Sequence, residues 1–157
     1  MHLLNTPIVL ALRHARDGRR DRGLSAWAAH APRHSLFISA LTLFELESYA
    51  AQDDSDLWRR WLDDHVMRAF DGRILAIDAS VVRRATQLGY RDQRDGLLAA
   101  TALEHGLTLA TDRPRAFKAG RVKTFDPATY VHETSVEDWR QAARATPAWV
   151  KNLFVRS

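Results

Sequence analysis

The chain predicts an α/β domain built on a mainly parallel sheet. Three observations carry that expectation. Short apolar runs alternate with stretches of helical spacing, in the order β α α β α α β α α β β. Two of the runs, residues 2–6 and 107–110, end in polar residues, Asn5 and then Thr111-Asp112. In a parallel sheet those ends meet at one edge, which is where open α/β sheets bind ligands.

Each element has a local reason. Residues 2–6 read as a buried strand, followed by helical residues from Ile8 to Arg13. The segment from Asp17 to Gly23 reads as a charged loop bounded by glycines. Ser25 to Ala31 is a short helix stopped by Pro32. Leu36-Phe37-Ile38 is a second strand, and Ser39 is placed to cap a helix from Ala40 to about Ala51. Asp53, Asp54 and Asp56 put negative charge at the start of the next helix, where the backbone dipole favours it. Trp58, Trp61, Leu62, Val66, Met67 and Phe70 form one apolar face of that helix, and Asp71-Gly72 ends it. Ile74 to Ile77 is a third strand. Ala79 to Leu88 is a helix closed by Gly89. Asp95 opens an alanine-rich helix that Gly106 closes, before the strand Leu107–Ala110 and a last strand from Val122 to Phe125. Beyond Pro127 the pattern changes. Ser135-Val136-Glu137-Asp138 and Thr146-Pro147 read as helix starts. Residues 129–157 are therefore expected to be a helical extension packed on a domain of residues 1–128.

A length of 157 residues suits one domain with one packed core. Hydrophobic residues at 46% and charged residues at 27% are ordinary for a water-soluble domain. No apolar run is long enough for a membrane span, and no basic stretch precedes the first apolar run, so neither a membrane partner nor a secretory signal is expected. The absence of cysteine excludes disulfides and zinc–thiolate sites and fits a cytoplasmic location. The formal charge of +4 favours an anionic partner only weakly. Lysine occurs only at positions 118, 123 and 151, so the basic residues are mostly arginines, whose forked donors suit phosphate. There is no Walker loop, G-x-G-x-x-G or G-x-S-x-G, which disfavours P-loop NTPases, dinucleotide enzymes and α/β-hydrolases. None of the seven histidines has the spacing of a metal pair.

The candidate site residues are Asn5, Glu45, Asp95 and Asp112. Clustered oxygen ligands of this kind hold Mg²⁺ or Mn²⁺ for phosphoryl chemistry. Glu45 shares a helical stripe with Leu41 and Tyr49, and an acid on an apolar stripe needs a partner. Asp95 alone reads equally as a helix cap, and Asp92, one turn earlier, could reach the same cleft. Basic residues flank each segment: Arg13, Arg16, Arg19, Arg20 and Arg22 after the first strand, Arg91 and Arg94 beside Asp95, and Arg113 and Arg115 after Asp112. Arg91, Arg94, Arg113 and Arg115 are the candidate phosphate-binding set. The competing reading is a solvated surface, with Arg19 and Arg20 paired locally to Asp17 and Asp21.

Three segments resemble PIN-domain ribonucleases of the VapC and FitB type, the toxins of bacterial type II toxin–antitoxin pairs. They are Met1 to Val9, Ser35 to Leu46, and Asp95-Gly96-Leu97-Leu98-Ala99-Ala100-Thr101-Ala102 through Thr111. The resemblance covers roughly residues 1–128 and implies a three-layer α/β/α PIN-like domain. It matches Glu45 and Asp95 to the family's second and third acids. It departs at Asn5, where the family has Asp, and at Pro7, where Asn is usual. The fourth region usually reads Thr-Arg-Asn-x-x-Asp-Phe. Here Thr111-Asp112-Arg113-Pro114-Arg115-Ala116-Phe117 puts Ala116 in place of the closing acid, with Asp112 as a nearby substitute. Departures at several positions read as natural divergence rather than a single inactivating change.

The resemblance implies a Mg²⁺- or Mn²⁺-dependent endoribonuclease, an RNA substrate, a homodimer and an antitoxin partner that inserts a segment near the site. The alternative is a degenerate PIN-like protein with weak or lost cleavage that binds RNA or a protein. The helix bearing Trp58, Trp61, Leu62 and Phe70 has more large apolar residues than a short helix needs, so part of it is expected to face a partner.

Overall fold

The structure, a computed structural model, describes residues 1–14, 19–52 and 56–131. Five parallel strands form one sheet in the order β3-β2-β1-β4-β5: β1 (His2–Leu4), β2 (Leu36–Ser39), β3 (Ile74–Leu75), β4 (Thr108–Ala110) and β5 (Thr124–Phe125). The central strand pairs with β2 on one side and β4 on the other, with Leu4 opposite both Ile38 and Ala110. Successive side chains along a strand point to opposite faces. Leu4, Leu36, Ile38 and Ala110 accordingly enter one core with Val9, Leu12, Trp27, Leu46, Trp61 and Phe70. Leu3 and Leu109 enter a second core with Leu98, Ala99, Ala102 and Phe117. Both faces of the sheet are covered, which is the expected three-layer arrangement.

The helices are α1 (Thr6–His14), α2 (Arg19–His30), α3 (Ala40–Ala51), α4 (Leu57–Trp61), α5 (Met67–Ala69), α6 (Ala79–Leu88) and α7 (Gln93–Glu104). Ser39 caps α3 as expected, accepting from the Leu41 N–H at 3.2 Å. Gly89 ends α6 in the left-handed conformation. Among the described residues no helix is long and apolar enough to cross a membrane. The expectations for Arg16, for the side chains of Asp17, Arg19, Arg20 and Asp21, for the acids at 53 and 54, and for the helical extension past residue 131 lie outside the described residues.

Several boundaries differ from the sequence reading. The third strand keeps only Ile74–Leu75, and the last only Thr124–Phe125. The single helix expected over 57–70 is α4, a π-helical turn at Leu62–Val66, and α5. Guanidinium groups serve its carbonyl end: Arg33 Nε donates to Ala69 O at 3.2 Å, and Arg73 also donates to Ala69 O. The glycine-bounded loop is replaced by α2, which runs through Gly23. Gly23 is not a breaker here but a point of close approach. A Cβ at this position would lie 2.3 Å from Ala128 O, in the 3₁₀ turn Pro127–Thr129.

Most of the apolar face of the 57–70 segment is taken up inside the chain, while Leu57 and Met67 stay exposed. Trp61, Leu62, Val66 and Phe70 are buried. Trp58 stacks on Tyr49 with ring centroids 5.9 Å apart, and the Arg13 guanidinium carbon lies 3.6 Å from the centroid of the Trp58 ring. The large apolar residues left exposed are others, among them Phe44 and Tyr49 on α3 and Leu57 on α4.

Gly23→Ala is expected to destabilise the fold by about 1–3 kcal/mol, because backbone rather than a flexible side chain meets the new methyl. Urea denaturation measures it, and an unchanged midpoint would show that the α2 contact with the 127–129 turn yields freely. His2 gives a pH-dependent expectation. Its ring lies edge-on to Trp27 at 5.3 Å and 5.7 Å from Phe125. Burial, and then the nearby N-terminal charge, lowers its pKa. The unfolded chain therefore binds the proton more readily. The neutral-His2 contribution to stability is complete above about pH 6.5 and is lost as pH falls below that value toward the lowered folded pKa. Denaturation midpoints across this window should fall with pH in the wild type and fall less in His2→Phe.

Candidate active site at the carboxyl edge of the sheet

Asn5 follows β1 directly and has no exposed surface. Its N–H continues the sheet to Ala110 O at 3.2 Å. Both ends of its side-chain amide are engaged. Oδ1 accepts from the Ile8 N–H at 3.2 Å, the bond of a helix N-cap, and Nδ2 donates to Thr111 Oγ1 at 2.9 Å. Thr111 Oγ1 also accepts from the Arg113 N–H at 3.1 Å. Asn5 thus ties the ends of β1 and β4 together and starts α1.

Glu45 reaches the same edge from α3. Thr42 anchors that helix to the end of β1 through a hydroxyl bond to Leu4 O at 3.4 Å. Glu45 Oε2 accepts from the buried Thr6 hydroxyl and, at 2.9 Å, from Arg94 Nη2, while Oε1 accepts from Arg94 Nε. Asp95 is buried in the first turn of α7. The residue that caps α7 is Asp92, whose carboxylate accepts from the Arg94 N–H at 2.9 Å. The sequence reading had Asp95 opening the helix. Capping instead turns Asp92 to the exposed helix start and leaves Asp95 facing inward. Asp95 Oδ1 accepts from Arg113 Nη2 at 2.9 Å and lies 3.7 Å from Arg94 Nη1.

One planar guanidinium therefore touches both acids, which places the Glu45 and Asp95 carboxylates within about 9 Å of each other. The Glu45 hydrogen bond and the charges of Glu45, Asp95 and Asp92 raise the Arg94 pKa, against the opposing effect of burial. Glu45 and Arg94 line a cleft of about 320 Å³ with Ser48, Tyr49 and Gln52.

Asp112 is placed differently. Thr111 is buried and turned toward Asn5, and the chain bends at the next residue. Asp112 is exposed and lines a separate hollow with Pro7, Ile8, Ala11, Leu24, Asp126 and Ala128. Arg91 and Arg115 are exposed, whereas Arg94 and Arg113 are engaged with the acids. Thr6 and Thr111 were not singled out in the sequence. The available signal was a hydroxyl residue directly after each strand end.

Among the described residues, no group of three or more His, Cys, Asp or Glu is gathered where it could hold a metal ion. Asn5 has its amide oxygen on a backbone N–H, and each of the two clustered acids has an arginine on it. As arranged, this donor set does not fit a divalent cation, which takes several free oxygen ligands.

An all-parallel five-stranded sheet, covered on both faces and carrying a pair of acids at its carboxyl edge, defines an open α/β domain with its site beside the central strand. Residues 3–121 match the PIN domain model, and the chain belongs to that family. It is 27% identical over 139 residues to VapC ribonuclease Y4jK of Sinorhizobium fredii, spanning 81% of this chain and 97% of that protein. It is 30% identical over 114 residues to toxin FitB of Neisseria gonorrhoeae, spanning 65% of this chain and 82% of that one. The crystal structure of FitAcB from Neisseria gonorrhoeae superposes with a TM-score of 0.73 at 29% identity, covering 82% of this chain and 99% of the other. VapC nucleases of the PIN family generally depend on a divalent metal.

Asn5→Ala is expected to cost about 1–2 kcal/mol, since it removes the α1 cap and the bond to Thr111. Asn5→Asp should cost more, because it keeps the cap but buries a carboxylate with no cation beside it. Urea midpoints of the two variants compare them directly, and equal losses would reject this account of Asn5.

Proposed function

We propose that this chain is the ribonuclease toxin of a type II toxin–antitoxin pair, acting at the carboxyl edge of its sheet. The observation that carries the reading is the meeting of Glu45 and Asp95 beside β1, on separate helices, within reach of one guanidinium. The VapC and FitB relatives, which match along most of their own lengths, support both the activity and an antitoxin partner. In this reading Glu45 and Asp95 are the central acids, Asn5 holds the strand ends in place, and Asp112 lies at the rim. The cleft beside Glu45 takes the RNA chain. Exposed Arg91 and Arg115 hold its phosphates, which position the strand without reading its sequence, while Arg94 and Arg113, expected from the sequence to do the same, hold the acids instead. Mg²⁺ or Mn²⁺ is the cofactor that the resemblance to metal-dependent nucleases implies, and it would supply charge neutralisation and an activated water only where the arginines leave the acids. A homodimer and a cytoplasmic location go with the same reading. Exposed Phe44, Tyr49 and Leu57 offer apolar surface of the kind a partner covers.

A second reading, a PIN protein with weak or lost cleavage that binds RNA or a protein, is favoured by one specific observation. Asn5 places a neutral amide, engaged at both ends, where the resemblance implies an acid. The experiment that separates the two is RNA cleavage by the purified chain with Mn²⁺ or Mg²⁺, beside Asp95→Ala. The expected outcome is cleavage that falls by about 100-fold or more in Asp95→Ala, the scale for losing a catalytic electrostatic group. Cleavage indifferent to Asp95→Ala would reject the site. No cleavage by the wild type, with cleavage appearing in Asn5→Asp, would establish the second reading.

A further inference from the structure

Arg94 is used in a way that phosphate binding does not explain. It lies in the first turn of α7, with Asp92 holding its backbone N–H and Asp95 next in the chain. All three guanidinium nitrogens face acids: Nε and Nη2 bond the two oxygens of Glu45, and Nη1 lies 3.7 Å from Asp95 Oδ1. The fork is the bidentate arrangement that makes arginine–carboxylate pairs strong and directional. The pair is largely withdrawn from water, with side-chain exposures of 28% for Arg94 and 19% for Glu45. Arg113 closes Asp95 from another direction, and the Thr6 hydroxyl adds a bond to Glu45. Two carboxylates and two guanidiniums thus leave the cluster with no net charge.

We propose, resting on the reading of Glu45 and Asp95 as the acids of the site, that Arg94 and a divalent cation are alternative occupants of the space between them. The guanidinium already satisfies the Glu45 oxygens that such an ion would take. A second positive centre a few ångströms away would repel it at short range with little screening by salt. The folded chain therefore has low intrinsic affinity for Mg²⁺ or Mn²⁺. Arg94 sets that affinity by holding the acids rather than by touching the ion.

The test is Mn²⁺ binding, followed by electron paramagnetic resonance on the full chain without RNA, in the wild type, Arg94→Gln, Arg94→Lys and Arg94→Gln/Glu45→Gln. Arg94→Gln should bind Mn²⁺ about tenfold more tightly or better, since it removes the competing charge. Arg94→Lys should gain less, because an ammonium keeps the charge but not the fork. Adding Glu45→Gln should abolish the gain. Equal affinities for the wild type and Arg94→Gln, or a gain that survives Glu45→Gln, would overturn the proposal. A measurement on the wild type guards against variants that fail to fold. The Arg94 Nε–Hε signal in ¹⁵N NMR should hold its position as Mg²⁺ is raised through the millimolar range, and its loss from the Glu45-bonded position at micromolar Mg²⁺ would equally overturn the proposal. No RNA enters either measurement, so this proposal can fail while the cleavage result stands, and the reverse.

Discussion

The rest of the structure depends on burying the central strand pair, β1 and β4, on both faces at once. Leu3 and Leu109 point into one core, and Leu4 and Ala110 into the other. These strands have only three residues each, so their hydrogen bonds alone would not hold them. Stability comes from the apolar side chains clamped between helices above and below, at about 1.5–3 kcal/mol for each large side chain fully buried. A one-residue slip would exchange the two faces of each strand, so the register is tightly specified. It follows that Asn5 and Thr111, the next residues after each strand, have to lie side by side.

That constraint also shapes the electrostatics. The carboxyl edge is where α1, α3 and α7 converge, so side chains leaving it are partly withdrawn from water. Charges so placed need partners or they destabilise the fold. Glu45 and Asp95 receive them from Arg94, Arg113 and Thr6. Asn5 carries no charge, needs no further cation and serves as a doubly bonded structural bridge. A neutral residue at Asn5 and arginines on Glu45 and Asp95 both keep the uncompensated negative charge at this spot low.

Much of the fold was legible because strand and helix periods are local properties. The parallel alternation, the Ser39 cap and the Gly89 stop needed no more than neighbouring residues. Gly23 was misread because a glycine that breaks a helix and a glycine that admits a distant backbone look the same in one dimension; Ala128 is far away in sequence. How much of the apolar face of the 57–70 segment stays inside the chain was hidden for a related reason. Its excess over a short helix is real, but Arg13 and Tyr49, from two other helices, pack against Trp58 and take part of it.

The sequence by itself determined the architecture and which strand ends share an edge, because hydrophobic pattern and parallel connectivity decide both. It also brought forward Glu45 and Asp95, through an acid on an apolar stripe and an acid at a helix start. Only the tertiary structure decided what those acids touch. Arg94 and Arg113 read as phosphate-binding arginines in the chain, yet their direction depends on the packing of α7 against α3 and on the turn after β4. Asp112 stands beside Thr111 in sequence but lines another hollow, since the chain leaves the strand and bends there. Residue types follow from the sequence, whereas the pairing of charges depends on side-chain directions that long-range packing sets.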